Sequence, residues 1–158
     1  MPQLYIIAGP NGAGKTTTAH TLLPEFLHCN EYVNADAIAA GLSPFNSDAV
    51  ALQAGRLMLA RIQQLAGEQK DFAFETTLAS RSFAPFLQQI KQQNTYSVHL
   101  VFLWLESVDL AVKRVAFRVR HGGHSIPEPT IRRRYSKGLQ NLLQLYTPVA
   151  DSWQLYDN

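Results

Sequence analysis

A chain of 158 residues, 46% hydrophobic and 16% charged, carries enough apolar material for one domain with a real core and too much for a disordered protein. No apolar run is long enough to span a bilayer, and the N-terminus lacks the basic n-region of a signal peptide, so membrane and secreted classes are disfavoured. Net charge is only +2 and the single cysteine, Cys29, excludes an internal disulfide or a cysteine metal cluster, which makes the cytoplasm the expected compartment and Cys29 a packing residue.

The first predicted element is a strand, Leu4-Tyr5-Ile6-Ile7-Ala8, an apolar run fit for a buried parallel sheet. Directly after it, Gly9 to Thr16 read Gly-Pro-Asn-Gly-Ala-Gly-Lys-Thr, a full match to the phosphate-binding loop G-x-x-x-x-G-K-[ST]. Thr16 to Leu23 then opens a helix that Pro24 is expected to end. Strand, glycine loop and helix together cradle nucleotide phosphates, because backbone N–H groups and the helix start aim at the anion. Gly9, Gly12 and Gly14 permit close backbone approach, and with Asn11 and Ala13 they form the expected nucleotide cradle. Lys15 reaches the β- and γ-phosphates, the Thr16 hydroxyl binds Mg²⁺, and Thr17 adds a further phosphate contact.

A second short strand is expected at Glu31–Asn34, then a helical turn, Ala35–Ala40, closed by Gly41, and a loop at Leu42–Asn46. Ser47 can cap a helix from Asp48 to about Glu68, whose apolar positions Val50, Ala54, Leu57, Met58, Ile62 and Leu65 keep helical spacing. A third strand, Asp71–Glu75, ends in an acid. Ser82–Gln93 reads as a helix with Pro85 in its first turn, and Ser97–Leu105 as an apolar fourth strand. Val108, Val112, Val115 and Val119 mark one face of a helix that carries Lys113, Arg114, Arg118 and Arg120 elsewhere and stops at Gly122-Gly123. After Ser125-Ile126-Pro127-Glu128 comes a helix from Pro129 to about Tyr146, limited by Pro148, and a fifth strand is expected at Ser152–Tyr156. Continuation of the natural protein past Asn158, directly after that strand, is an open expectation. Alternating strands and helices predict an α/β fold: a P-loop kinase-like three-layer sandwich with a central parallel sheet, one domain over residues 1–158, and a helical lid at about 118–134. Ligands in such a sheet lie outside the carboxyl ends of the strands, where Asp36, Glu75 and Glu106 all fall.

Phosphoryl transfer needs positioning, charge stabilisation and a group that takes or orients the acceptor's proton. Asp36 follows the second strand closely and is the leading general-base candidate; its competing role is to cap the short helix. Glu75 either binds the acceptor's hydroxyls, contacts Mg²⁺ through water, or is a structural carboxylate held by backbone N–H groups. Thr76 is grouped with it as a substrate-binding residue. Eight of the fourteen Lys and Arg residues fall between Lys113 and Lys137, with Glu128 the only acid there. Two helices joined by such a basic hinge can close over ATP, with Arg118, Arg120 and Arg133 supplying catalytic charge. Arg132, Arg133 and Arg134 point in three directions around one helix, so at least one is expected to face solvent. Arg81 either touches substrate phosphate or is a surface residue. His121-Gly122-Gly123-His124 lacks a third ligand and reads better as a hinge turn than as a metal site. The basic segment lacks the interleaved aromatics of a single-strand track, so nucleic acid is not an expected partner.

Gly9–Thr17, Asn34-Ala35-Asp36, Phe74-Glu75-Thr76-Thr77-Leu78, and Arg118–Arg134 with its Gly122-Gly123-His124-Ser125-Ile126-Pro127 turn together resemble a zeta-toxin-type P-loop kinase of the short branch. The resemblance covers most of the chain, and the blocks around Glu75 and Gly122 are more specific to it than the phosphate loop is. It implies an ATP-dependent kinase with a five-stranded core, whose best-known relatives phosphorylate the sugar of UDP-N-acetylglucosamine. It makes Asp36 the base that takes the sugar hydroxyl's proton, Glu75 a sugar-binding group, and the lid arginines holders of the transferring phosphate. It also adds an antitoxin protein as a candidate partner. This chain lacks much of the elaboration around the acceptor site in the larger toxins. Rival readings are a kinase or NTPase acting on another nucleotide or nucleoside or on polynucleotide ends, and a non-catalytic nucleotide-binding protein; retention of Lys15, Thr16 and Asp36 argues against the last.

Overall fold

A computed structural model of the chain describes residues 1–158. Its central strand is β1 (Gln3–Ala8), in which Leu4, Ile6 and Ala8 face one layer and Ile7 the other, the separation a pleated backbone imposes. With β2 (Tyr32–Val33), β3 (Phe72–Thr76), β4 (Ser97–Trp104) and β5 (Ser152–Asp157) it forms a five-stranded sheet in the order β2-β3-β1-β4-β5. Every pairing is parallel, and Ile6 lies opposite Phe74 of β3 and Leu100 of β4. Parallel neighbours need long crossovers. These contain α1 (Lys15–Thr21), α2 (Ala35–Leu42), α3 (Ala51–Gly67), α4 (Ala84–Gln93), α5 (Val108–Arg120) and α6 (Glu128–Asn141).

On one face of the sheet, Leu4, Ile6, Phe74 and Phe102 pack on Met58 and Ile62 of α3, Leu87 of α4, and Leu142 and Tyr146 beyond α6. On the other, Ile7, Val101 and Leu103 meet Ala19 of α1, Ala111 and Val115 of α5, and Ile131 of α6. The expected three-layer α/β sandwich with a parallel sheet is the fold that forms. Cys29 is buried in the second layer. No helix is long and apolar enough to cross a membrane.

The differences from the sequence reading concern helix ends. Pro24 does not stop the first helix, because α1 widens into a π-turn at Leu22–Phe26 in which the Leu27 N–H donates to the Leu22 carbonyl at 3.0 Å. A wider turn accommodates a ring that has no N–H to give. Gly41 lies inside α2 rather than after it. Ser47 makes no capping bond; a 3-10 turn, Ser47–Val50, leads into α3 instead. Ser107 does cap α5, its hydroxyl accepting the Leu110 N–H at 3.1 Å.

Helix α6 holds the segment that follows β3. A Cβ on Gly138 would come within 2.4 Å of the Thr77 carbonyl oxygen. The Asn141 amide donates to the Leu78 and Ala79 carbonyls at 2.8 and 3.2 Å, and the Tyr146 hydroxyl donates to the Ser80 carbonyl at 2.5 Å. Leu78 is buried at φ 61°, a left-handed conformation that these contacts sustain. Gly138→Ala is therefore expected to cost about 1–3 kcal/mol by overpacking. Urea denaturation reads this directly, and an unchanged midpoint would mean that α6 shifts away freely.

Candidate active site

The loop between β1 and α1 is pinned from two sides. The Gly9 N–H donates to the Thr76 carbonyl of β3 at 3.3 Å. On the β4 side, Gly9 has φ 150°, and a Cβ there would lie 2.5 Å from the Leu103 carbonyl oxygen. Gly12, at φ 83°, packs against Ala111 and Arg114 of α5. Gly14 leads into α1 with no side-chain cap on the first turn, the arrangement in which free N–H groups receive an anion. Asn11 and Ala13 are buried in the loop.

Lys15 is buried, and its ammonium folds back to donate to the Pro10 carbonyl at 3.0 Å. Burial lowers its pKa from 10.5 to about 8; the Glu75 and Asp36 carboxylates oppose that shift, and the Arg118 and Arg134 charges add to it. Thr16 and Thr17 are exposed on the first turn of α1. The Thr16 hydroxyl lies 3.0 and 3.1 Å from the two Glu75 carboxylate oxygens and donates there.

Glu75 gathers three side chains. Besides Thr16 it accepts from the Tyr32 hydroxyl, and from the Asn34 amide at 3.1 Å. None of these is the backbone N–H of the structural alternative. The short strand β2 thus orients the carboxylate at the end of β3. Burial, then hydrogen bonding to Glu75, raise the Tyr32 pKa, so its hydroxyl remains a donor. Thr76 turns its hydroxyl oxygen to the Leu78 N–H, which it accepts at 3.0 Å.

The cap of α2 is Asn34, not Asp36. The Asn34 side-chain oxygen accepts the Asp36 and Ala37 N–H groups at 2.8 and 3.3 Å. That leaves the exposed Asp36 carboxylate with no hydrogen-bond or ion-pair partner. It lines a cavity of about 670 Å³ together with Asn11, Lys15, Glu75, Thr76, Arg133 and Arg134. Six of the residues singled out in the sequence thus converge: Asn11, Lys15, Asp36, Glu75, Thr76 and Arg133.

The arginines divide. Arg134 is half-buried, and its guanidinium donates to the Asn11 side-chain oxygen at 3.4 Å; burial lowers its pKa. Arg132 turns outward to Glu128 and Asp109, at 2.9 and 2.8 Å, and ties α6 to α5. Arg118 carries the turn after α5: its carbonyl accepts the His121 and Gly123 N–H groups at 3.1 and 2.8 Å, and a Cβ on Gly123 would lie 2.3 Å from its Cγ. Two further candidates stand outside this cavity in the structure, as Arg118 does. Arg120 lies along a separate groove with Lys113, Arg114 and Phe117, because α5 turns it away from the cavity that Lys15 and Asp36 share. Arg81 is exposed and lines no part of that cavity, although Ser80 and Ser82 beside it do. The two hinge histidines diverge: His121 Nδ1 lies 2.8 Å from the Phe117 carbonyl, and His124 Nε2 lies 3.0 Å from Asp48.

Sequence reasoning missed Tyr32, Asn34 and Arg56 as site residues. Asn34 had a signal, an Asn directly before a predicted helix. Tyr32 and Arg56 had none, since a tyrosine in a short strand and a basic residue on an amphipathic helix are ordinary.

Sheet order, glycine loop and the cavity beyond the strands' carboxyl ends define an α/β protein of the P-loop kinase class. The chain belongs to the zeta toxin family, whose model matches residues 1–152. A Haemophilus influenzae (strain Rd) protein described as uncharacterized is 29% identical over 129 residues, 80% of this chain and 88% of that one. Among solved structures, one from the PezAT chromosomal toxin–antitoxin system of the human pathogen Streptococcus pneumoniae is similar over 100% of this chain and 69% of its own, with TM-score 0.74 and 17% identity. Another, the AvrRxo1-ORF1:AvrRxo1-ORF2 complex with ATP, is similar over 100% of this chain and 55% of its own, with TM-score 0.79 and 16% identity. At these identities the two structures speak for the fold. Family and fold together support a nucleotide-dependent kinase, a phosphotransferase.

Proposed function

We propose that this chain transfers the γ-phosphoryl group of ATP to a hydroxyl of a small molecule, with UDP-N-acetylglucosamine as the leading acceptor. The observation that carries this reading is the unpaired Asp36 carboxylate lining the same cavity as the phosphate-loop Lys15. Asp36 accepts the acceptor hydroxyl's proton, the acceptor oxygen bonds to the γ-phosphorus, and the bond to the β-phosphate oxygen breaks to release ADP. Lys15 exchanges its Pro10 contact for phosphate. Arg134, with Arg118, whose charge is felt at Lys15, neutralises charge on the transferring group. The lid in this reading is α5, the turn at 121–127 and α6; Arg120 and Arg81 are left outside the phosphate clamp.

A magnesium ion suits the Thr16–Glu75 pair, a hydroxyl and a carboxylate 3.0 Å apart, since Mg²⁺ takes hard oxygen donors and needs few from protein when phosphates are present. Bound there, it supplies charge screening for the β- and γ-phosphates. Glu75 then serves the metal side of the site rather than the acceptor. The toxin–antitoxin setting of the PezAT neighbour supports an antitoxin partner, and an ATP-consuming reaction suits the cytoplasm.

The Lys15 environment gives a pH signature. In the nucleotide-free protein its ammonium loses a proton near pH 8, not 10.5. A bound polyphosphate favours the charged form and raises the value again. Above pH 8, binding must therefore take up a proton, and affinity must fall as pH rises. Calorimetry at about pH 8.5 in buffers of different ionisation enthalpy should read net proton uptake, absent in Lys15→Met. Zero uptake in wild type would contradict the assignment.

The reaction itself is tested by incubating the protein with ATP, Mg²⁺ and a panel of nucleotide sugars, nucleosides and oligonucleotides, then weighing the products. One phosphoryl group, about 80 Da, gained by a small-molecule acceptor is the expected result. Gain confined to oligonucleotide ends would replace it with the polynucleotide reading.

A further inference from the structure

The phosphate loop is fastened from three parts of the fold. From β3, the Thr76 carbonyl accepts the Gly9 N–H. From α6, Arg134 reaches the Asn11 side chain at 3.4 Å. The third fastening lies directly before Lys15 and comes from the residue that follows β5: the Asn158 side-chain amide donates to the Ala13 carbonyl at 2.6 Å. No other side chain bonds the peptide between Ala13 and Gly14.

Asn158 is brought to this place by its own main chain. Its N–H donates to the Trp104 carbonyl at 2.9 Å, one step beyond the last β4–β5 pair, and the Arg114 guanidinium of α5 donates to its carbonyl at 2.5 Å. Any residue with an N–H makes those two contacts; only the bond to Ala13 needs the amide. Polar side chains earlier on β5 bond elsewhere, Ser152 to His99 at 2.7 Å and Tyr156 to Gln154 at 2.8 Å. Gly14 leaves room for the contact, since a Cβ there would lie 3.1 Å from the Asn158 amide nitrogen.

A trans peptide sends its C=O and its N–H to opposite edges of one plane. Holding the Ala13 carbonyl on Asn158 therefore also holds the Gly14 N–H on the far edge, and that N–H donates to no backbone group. Without the bond, the plane is free to turn about the dihedrals on either side of it, one of them at a glycine, and to show a carbonyl oxygen to an arriving phosphate. We infer that Asn158 is a positioning residue of the nucleotide site, which keeps the Ala13–Gly14 peptide set with its N–H toward the phosphates. This rests on the phosphate loop's being the ATP site. It ties Asn158 to the polyphosphate and not to the nucleobase.

Inorganic tripolyphosphate separates those two roles, because it carries the phosphates without a base. Calorimetry with Mg²⁺ compares ATP and tripolyphosphate on wild type, Asn158→Ala and the near-isosteric Asn158→Leu. Both variants should bind both ligands about 3–10-fold more weakly, the range for one hydrogen bond, with the melting temperature unchanged. The Gly14 amide resonance gives a second readout: sharp in the ligand-free wild type, broadened by exchange in both variants. Wild-type affinity for tripolyphosphate in both variants would overturn the positioning role, whatever the Gly14 signal does; if ATP alone were weakened, Asn158 would belong to the base. Either result leaves the kinase reading standing. Wild type that bound neither ligand would sink the ATP site and the positioning role together. The expected weakening, with no acceptor ever phosphorylated, would sink the transfer reaction alone.

Discussion

Asp36→Asn lowers the rate of phosphoryl transfer by about 10²–10⁴-fold, the usual cost of losing a general base, and leaves ATP affinity nearly unchanged. The substitution keeps size and hydrogen-bonding capacity but removes the proton acceptor. It is a clean test because Asn34 caps α2. The Asp36 side chain has no bond to lose, so stability should hold within about 0.5 kcal/mol, as for surface positions without special contacts. Steady-state turnover with a competent acceptor, beside a thermal melt, separates the two effects. Turnover equal to wild type would remove Asp36 from the chemistry.

The second large effect is expected at Arg134. An arginine that stabilises the charge of a transferring phosphoryl group is worth about 10³–10⁵ in rate. Arg134 is the member of the Arg132–Arg134 run that reaches the loop, at Asn11. Arg134→Ala should therefore abolish measurable turnover. Arg132→Ala should lose only the link between α5 and α6, an exposed pair of the kind usually worth under about 1 kcal/mol. Arg120→Ala should retain full rate. If Arg134→Ala stayed within a few-fold of wild type, the charge stabilisation would have to come from Arg118 or from the metal side.

The layered fold was readable because β1 to β4 are short apolar runs between helical stretches. The phosphate loop was readable because its chemistry demands residue types at a fixed spacing. Asp36 and Glu75 could be found from topology alone, since a parallel sheet presents the carboxyl ends of its strands to the ligand. Which arginine reaches the phosphate loop could not be found that way. Three successive helical residues point about 100° apart, and the rotation of α6 is set by remote contacts, Gly138 on Thr77 and Asn141 on Leu78. The same reason separates Arg118 from Arg120 on α5. Glu75 was ambiguous because its partners, Thr16 and Tyr32, lie 59 and 43 residues away in the chain. Helix ends moved where the backbone had an unforeseen option, as when the π-turn at Leu22–Phe26 carried the helix through Pro24.

The central claim is that the γ-phosphoryl group of ATP ends on a small-molecule hydroxyl and not on water. The most direct measurement is ³¹P NMR of a reaction containing the protein, ATP, Mg²⁺ and UDP-N-acetylglucosamine, run beside the same mixture with Asp36→Asn protein. The expected result is loss of the γ-phosphate signal matched by a new sugar phosphomonoester signal and by ADP, with the Asp36→Asn sample nearly unchanged. Inorganic phosphate as the sole product, with this acceptor and with the rest of the small-molecule panel, would contradict it.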